Sequence, residues 1–442
     1  MKYENYNHSG IKWLGDIPSG WVTRRLKDMG KGIIGLTYSP ADIVDEKDGG
    51  ILVLRSSNIQ NDKIDFANNV FVKVKPNKNL IVRKGDILIC SRNGSRALIG
   101  KNICIDENSA GHTFGAFMTI FRTKYFGYVS YYFKSQLFDY QSGAFMTSTI
   151  NQLTINTLNN LIIPVPSNYE QTEIATYLNT KIQAIDTKIN LLTKKTDHYK
   201  DLRKSIINDA VCKGLEKNVK LKESEFIFSV NANWKRYRLK DLGFLYSGLS
   251  GKAGDDFNQD DNPYNKGFIP FTNIANNTYL KSNHLGTVVV YENEKQNKVR
   301  KGDLFFLMSS EGYDDVGKTA ALAEDIPDTY LNSFCKGYRI TKKNCEPYFL
   351  NYLLLSDNYR KSLITEGKGF TRINLKMEKV TDFFVYLPPS KEEQIAIAAY
   401  LDEKTQKIDA IVTNIGKQIE TLKELRKTLI NDVITGKIKV TL

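Results

Sequence analysis

The sequence predicts an α+β protein: two similar globular domains separated by two long antiparallel coiled-coil helices, with a pseudo-two-fold internal repeat. Three observations carry that expectation. Residues 166–178 (PSNYEQTEIATYL) return at 389–401 (PSKEEQIAIAAYL), with eight of thirteen positions identical. Residues 202–209 (LRKSIIND) return at 425–432 (LRKTLIND) at the same offset of 223. Between these blocks the apolar positions step by four and three residues, the spacing of a coiled-coil seam.

The repeat runs through the rest of the chain, which governs how every other motif is read. Trp21 precedes RRLKDMG at 24–30, and Trp234 precedes YRLKDLG at 237–243. The turn at 57–59 (SNI) answers one at 272–274 (TNI). VRKGD occurs at 82–86 and again at 299–303, each copy feeding an apolar strand candidate, 87–90 or 304–308. Gly85 and Gly302 supply the glycine that a tight turn often needs. A polar, glycine-containing loop follows each strand, then Gly100-Lys101 or Gly317-Lys318. Tyr125 and Tyr348 begin aromatic, helix-like segments, and Ile-Asn at 150–151 and 373–374 leads towards each long helix. Short strands mixed with a few helices make each domain α+β. The expected divisions are 1–165 (first domain), 166–214 (first spacer helix), 215–388 (second domain) and 389–442 (second spacer helix and tail).

Each long helix opens on S-x-x-E: Ser167 with Glu170, and Ser390 with Glu393. In such a capping box the hydroxyl accepts a first-turn N–H and the glutamate reaches back to the cap. The first seam runs Leu178, Ile182, Ile185, Ile189, Leu192, Thr196, Tyr199. The second runs Leu401, Thr405, Ile408, Val412, Ile415, Ile419, Leu422. Thr196 and Thr405 fall at different heights and are expected to help fix register. Gly214 and Gly436 stop the helices, leaving each about 45 residues and ~65 Å long. Connectivity brings the end of the first helix near the start of the second. Paired seams must therefore run antiparallel, with each domain at the start of its own helix.

The formal net charge of +13 is spread along the chain and favours a polyanionic partner. The sequence has no apolar run near the length of a membrane span and no secretory signal pattern, so a cytoplasmic location without membrane contact is expected. Five cysteines without a CxxC pair fit a reducing compartment and buried, inert thiols. The four scattered histidines give no metal-ligand spacing. Residues 312–319 (GYDDVGKT) match the P-loop pattern. Asp314 and Asp315 would place negative charge inside its anion nest, and the first-half counterpart at 94–102 does not keep the pattern. DNPY at 261–264 approaches a methyltransferase box but lacks its second proline and has no glycine-rich companion. No catalytic motif survives. A P-loop NTPase and a coiled-coil scaffold without DNA function remain the alternative readings.

The loops offer the candidate contacts. In the first domain these are Arg55 and Asn58 by the first turn, then Arg92, Asn93, Ser95 and Arg96 after the strand. Thr147, Ser148 and Asn151 follow, in the loop before the helix. The second domain offers Asn273, Ser309, Ser310, Glu311, Tyr313, Lys318, Lys368, Arg372 and Asn374. Such side chains read base edges or hold phosphates. The loops diverge where the helices match, as two readers of different sequences would show and as neutral drift of surface loops would show too.

The whole chain resembles the specificity subunit of type I restriction–modification systems. The resemblance rests on the opening IKWLGDIPSGW (11–21), the two P-S-x-x-E-Q-x-x-I-A-x-Y-L helix starts, the LRK…IND helix ends and the duplicated plan. One departure is VCKG at 211–214, where the second copy has ITGK at 434–437. The resemblance implies two target-recognition domains, each reading one half of a split, asymmetric double-stranded DNA target. It implies helices that act as a ruler and dock two methyltransferase subunits, which restriction subunits then join. S-adenosylmethionine, ATP and Mg belong to those partners, and this chain is expected to hold no cofactor and no active site.

Overall fold

The computed structural model describes residues 2–144, 152–226, 228–259, 261–365 and 373–440. The chain divides into two compact units, Met1–Thr193 with Gly416–Leu442, and Lys194–Ile415. The division cuts both long helices. Each unit therefore holds one globular domain, the start of one helix and the end of the other.

In the first unit an antiparallel sheet runs in the order Asn102–Cys104, Ile87–Cys90, Met118–Arg122, Lys31–Ile34. The inner strand Ile87–Cys90 is buried along its whole length, because alternate side chains face two cores. Ile87 and Ile89 pack with Tyr128, Tyr132 and Leu158 of a helical layer. Leu88 and Cys90 pack with Leu54, Ile103 and Phe114. A small second sheet supplies that other layer, in the order Thr113–Phe114, Ile51–Leu54, Phe71–Val72, Ile43–Val44. Strands Val22–Arg25 and Ile162–Val165 pair antiparallel and deliver the chain into the first long helix.

The second unit repeats the plan. Its main sheet runs Gly243–Ser247, Cys335–Ile340, Leu304–Leu307, Thr319–Leu322, Tyr279–Leu280, and only the last pair is parallel. Leu304 and Phe306 face Tyr338, Phe349 and Leu353. Phe305 and Leu307 face Ile269, Ala320 and Leu331. Lys235–Arg238 pairs with Phe384–Leu387 ahead of the second long helix.

The VRKGD block encodes the turn before each inner strand. Gly85 and Gly302 take φ of +86° and +84°, where a side chain would be strained. Asp86 and Asp303 then turn inward, and each meets an arginine fork. Arg122 holds Asp86 at 2.7 and 2.6 Å, and Arg339 holds Asp303 at 2.9 and 2.6 Å. Each carboxylate also accepts the backbone N–H of Arg83 or Arg300. Each guanidinium also donates to a carbonyl, that of Ile81 or Lys298. Every member of the set recurs 217 residues on.

The long helices are Asn168–Lys213 and Lys391–Ile434, 46 and 44 residues, so ~69 and ~66 Å at 1.5 Å per residue. The serine half of each capping box forms as expected. Ser167 Oγ accepts the N–H of Glu170 at 3.2 Å, and Ser390 Oγ that of Glu393 at 3.1 Å. The glutamate half takes another partner. Glu170 accepts the indole N–H of Trp21 at 3.1 Å and the hydroxyl of Tyr3 at 2.5 Å. Glu393 accepts the indole of Trp234 at 3.2 Å. The reason is burial: Trp21 and Trp234 are 5% and 1% exposed, and a buried indole N–H needs an acceptor. The neighbouring Gln171 and Gln394 are also buried, and their amides donate to the carbonyls of Pro166 and Pro388.

Gly214 and Gly436 end the helices at φ of +87° and +74°. A Cβ on Gly436 would meet Pro18 and Trp21, and one on Gly214 would meet Trp234 and Glu393. In each unit the start of one long helix and the end of the other thus meet at the same tryptophan.

Every expected seam position is buried or half-buried, and the four–three spacing continues to Arg203 and Arg426. Arg426 pairs with Asp186 in the first unit and Arg203 with Asp409 in the second, each at 3.0 Å. Moving 17 residues up one helix moves 17 residues down the other, as antiparallel pairing demands. Thr405 departs from its expected role as a register marker. Its hydroxyl donates to the Leu401 carbonyl and lies 3.1 Å from the Tyr352 hydroxyl, so it ties the second helix to its own domain. Among the described residues no helix is long and apolar enough to cross a membrane.

Candidate nucleic-acid interface

In the first domain the chain leaves the inner strand at Cys90 and is caught at once. The N–H groups of Ser91 and Arg92 both donate to the Phe117 carbonyl at 3.0 Å. Arg92 is exposed, and its guanidinium carbon lies 5.4 Å from the Phe117 ring centroid. Asn93 donates to Ser56 Oγ at 3.3 Å, which ties this loop to the turn carrying Arg55. Its Oδ1 accepts the N–H of Ser95. Ser95 and Arg96 are exposed at the start of a 3₁₀ turn, Arg96–Leu98.

Arg55 is half-buried. Its Nη2 donates to the Asn68 carbonyl, while its buried Nε has no partner among the described residues. Asn58 is a correction to the set of readers. It is 1% exposed, its Oδ1 accepts the N–H of Arg55, and its amide donates to the Asp65 carbonyl. It builds the turn and faces away from solvent. Thr147, Ser148 and Asn151 lie outside the described residues.

In the second domain the equivalent loop begins as a strand. Ser309–Ser310 pairs antiparallel with Ile373–Asn374. In the first domain the matching bridge joins Arg92 to Gln152, one residue beyond the expected Asn151. Glu311 and Tyr313 are exposed, and Asn374 is exposed opposite Ser309. Asn273 is half-buried in the short helix Phe271–Asn276. Lys318 is half-buried, and Nζ is held by Asp315 at 2.7 Å and the Ala275 carbonyl at 3.2 Å. Lys368 and Arg372 lie outside the described residues.

The P-loop reading fails on the same geometry. A phosphate cradle needs a helix N-terminus after the glycines. Here Gly317 turns the chain into a strand, Thr319–Leu322, that pairs with Leu304–Leu307. The pattern's lysine is neutralised by Asp315, and the Thr319 hydroxyl is buried on Asn351 at 2.8 Å. The DNPY segment is a local turn in which Asn262 Oδ1 accepts the N–H of Tyr264.

Four cysteines are buried and Cys104 is half-buried. Burial pushes the Cys104 and Cys212 thiols up to about 11, and those of Cys335 and Cys345 up to about 12. None is a poised nucleophile. Among the described residues no cluster of His, Cys, Asp and Glu could hold a metal ion.

Among the described residues, the loops after the inner strands present Arg92 and Arg96 in one domain and Ser309, Ser310 and Glu311 in the other, at matched places in the repeat, with Arg55 on the adjoining turn of the first domain. Sequence reasoning missed Gln152, and it missed an exposed phenylalanine beside each loop, Phe117 and Phe334. Their constant place in the repeat could have found the two phenylalanines.

A family model described as "Type I restriction modification DNA specificity domain" matches residues 18–194 and again 231–421. The EcoKI specificity subunit of Escherichia coli K12 is 23% identical over 458 residues, covering 96% of this chain and 90% of that protein. The MjaVIII specificity subunit of Methanocaldococcus jannaschii is 23% identical, covering 96% and 94%. Among solved structures, a chain from a study of complex assembly and conformational transition of the type I R-M system shares the fold. It does so at a TM-score of 0.70 and 17% identity, over 96% of this chain and 99% of that one. The HsdS subunit from Thermoanaerobacter tengcongensis gives 0.52 at 16% identity, over 96% and 98%.

Proposed function

Because the chain belongs to the family of type I restriction–modification DNA specificity subunits, which are non-catalytic, we propose that it reads a bipartite, asymmetric DNA target and directs its partners there. Those partners are two methyltransferase subunits and restriction subunits, which bring S-adenosylmethionine, ATP and Mg. Each domain reads one half-site.

The observation that carries this reading is the contrast between matched loops. The same strand, turn and buried Asp–Arg pair present Arg92, Asn93, Ser95 and Arg96 in one domain, and Ser309, Ser310, Glu311 and Tyr313 in the other. Arginine suits guanine O6 and N7, and a carboxylate suits the amino group of cytosine. Different side chains on one scaffold read different half-sites. Arg55 and Asn374 stand beside these loops and join the contact set. The net charge of +13 supplies the sequence-independent attraction to phosphate.

The helices supply the spacing and the docking face. A rod of ~65 Å limits the half-sites to roughly 20 base pairs apart at ~3.4 Å per pair. Leu202 and Leu425, equivalent in the repeated LRK blocks, are 46% and 52% exposed. Exposed leucines at matched places suit two copies of one partner.

Exchange of residues 1–165 for the corresponding domain of another family member tests the reading. The chimaera, assembled with its partner subunits, should methylate a target with one new and one unchanged half-site. Retention of both original half-sites sinks it.

A further inference from the structure

Phe117 and Phe334 are each 60% exposed. Both lie 31 residues after the aspartate of the buried Asp–Arg pair and five before its arginine. The residues around them differ, GAFMT at 115–119 against NSFCK at 332–336, yet the phenylalanine and its exposure are kept. A large apolar ring left mostly exposed at the same place twice has a use beyond the contacts it already makes.

Each ring lines a cleft beside the loop described above. Phe117 borders one of about 530 Å³ with Tyr38, Ile43, Arg55 and Ser56. Phe334 borders one of about 440 Å³ with Phe271, Ser309, Ser310 and Glu311. Ser56 and Phe271 are themselves equivalent in the repeat, so the two clefts are the same place in the fold. Their chemistry then parts. Arg92 lies over the Phe117 ring, whereas Glu311, Asp314 and Asp315 all line the second cleft. Asp315 is paired with Lys318, but Glu311 and Asp314 still disfavour a phosphate, so the second cleft is ill suited to rest on the DNA backbone. It can face a base edge that offers an amino group. The clefts share serine hydroxyls and one large exposed apolar group, the phenylalanine, and the apolar feature on a base edge in the major groove is the thymine C5-methyl.

We propose that Phe117 and Phe334 are equivalent specificity-determining residues. Each lays its ring against a thymine methyl in the half-site of its own domain, while Arg92 and Glu311 address the neighbouring base. The assignment rests on the DNA-reading function proposed above.

The test uses the full chain assembled with its methyltransferase subunits. The target is first mapped by sequencing methylated DNA. Affinity is then measured for that duplex, for a random duplex, and for duplexes in which single thymines are replaced by uracil, which lacks the methyl. Phe117→Ala and Phe334→Ala should each weaken binding to the mapped duplex by about 5- to 100-fold, the cost of one mismatched base pair, and leave binding to random duplex unchanged. One uracil in the matching half-site should weaken the wild-type complex and leave the corresponding variant no weaker than it already is. Uracil in the other half-site should still weaken that variant. The proposal is overturned if either variant binds the mapped duplex like wild type, if it loses equally on random duplex, or if no uracil has an effect. If the wild-type complex itself does not prefer the mapped duplex, the DNA-reading function fails instead.

Discussion

The indole nitrogen of Trp234 lies 3.2 Å from a carboxylate oxygen of Glu393, 159 residues away in sequence. The bond fastens the second domain to the first turn of the helix it feeds. Glu393→Ala would leave a buried N–H without an acceptor, which costs about 1–3 kcal/mol. Chemical denaturation should read that loss, and Glu393→Gln, which keeps an acceptor oxygen, should recover most of it. Equal stabilities for wild type and Glu393→Ala would show that the joint does not depend on this bond.

The Asp303–Arg339 pair has 3% exposure on its acid and 21% on its base. Removing one member strands the other, and for buried pairs this costs about 3–5 kcal/mol. Asp303→Asn should lower the melting temperature of the chain by several degrees, and Asp86→Asn should do the same through Arg122. Arg339→Lys should also be costly, because a single ammonium cannot reproduce the two-pronged contact.

Arg203 and Asp409 pair across the seam with partial exposure. Such pairs contribute at most about 1 kcal/mol, so neither single alanine variant should melt the chain. Asp409→Arg places like charges together, and Arg203→Asp combined with it should restore stability. A double variant no better than the single one would contradict the antiparallel register.

Removing one heptad from each helix, between Asp186 and Arg203 and between Asp409 and Arg426, preserves the seam. It shortens the ruler by ~10 Å at 1.5 Å per residue, about three base pairs. Methylation mapping should find both half-sites intact and their separation reduced by that amount. An unchanged separation would show that the helices do not set it.

The buried thiols predict a pH dependence. The folded-state values of Cys335 and Cys345, about 12, lie above the unfolded value of about 8.5. Their contribution is full below the unfolded value and is lost as pH climbs through 9 towards 12. Unfolding midpoints should fall across that window and fall less in a Cys335→Ala, Cys345→Ala variant. Thiol reagents at neutral pH should leave the four buried cysteines untouched until the chain unfolds.

The helices were legible because their signals are local. Ser167, Ser390, Gly214 and Gly436 mark ends through backbone chemistry within a few residues, and the seam repeats every seven. The inner strands were legible for the same reason, announced by Gly85 and Gly302. What the sequence concealed is contact over long separation. Glu170 belongs to both a capping motif and Trp21, 149 residues away, and the buried indole takes it. Asn58 looks like a reader by residue type, and only its burial and partners show it holding a turn. Phe117 and Phe334 look like core by type and are exposed. Thr147, Ser148, Asn151, Lys368 and Arg372 stand as the sequence left them.

In the second unit a peptide segment links the end of the first helix, at Gly214, to the domain whose Trp234 it meets. In the first unit Gly436 makes the corresponding contact with Trp21 and Pro18, and the Tyr6 hydroxyl donates to its carbonyl at 3.1 Å, with no such segment. In the first unit the junction is therefore held by contacts alone. Two separately expressed pieces, cut at the exposed Lys220, should co-purify as one complex. On the proposed function, each exchanged half would carry its own reader together with its own long helix.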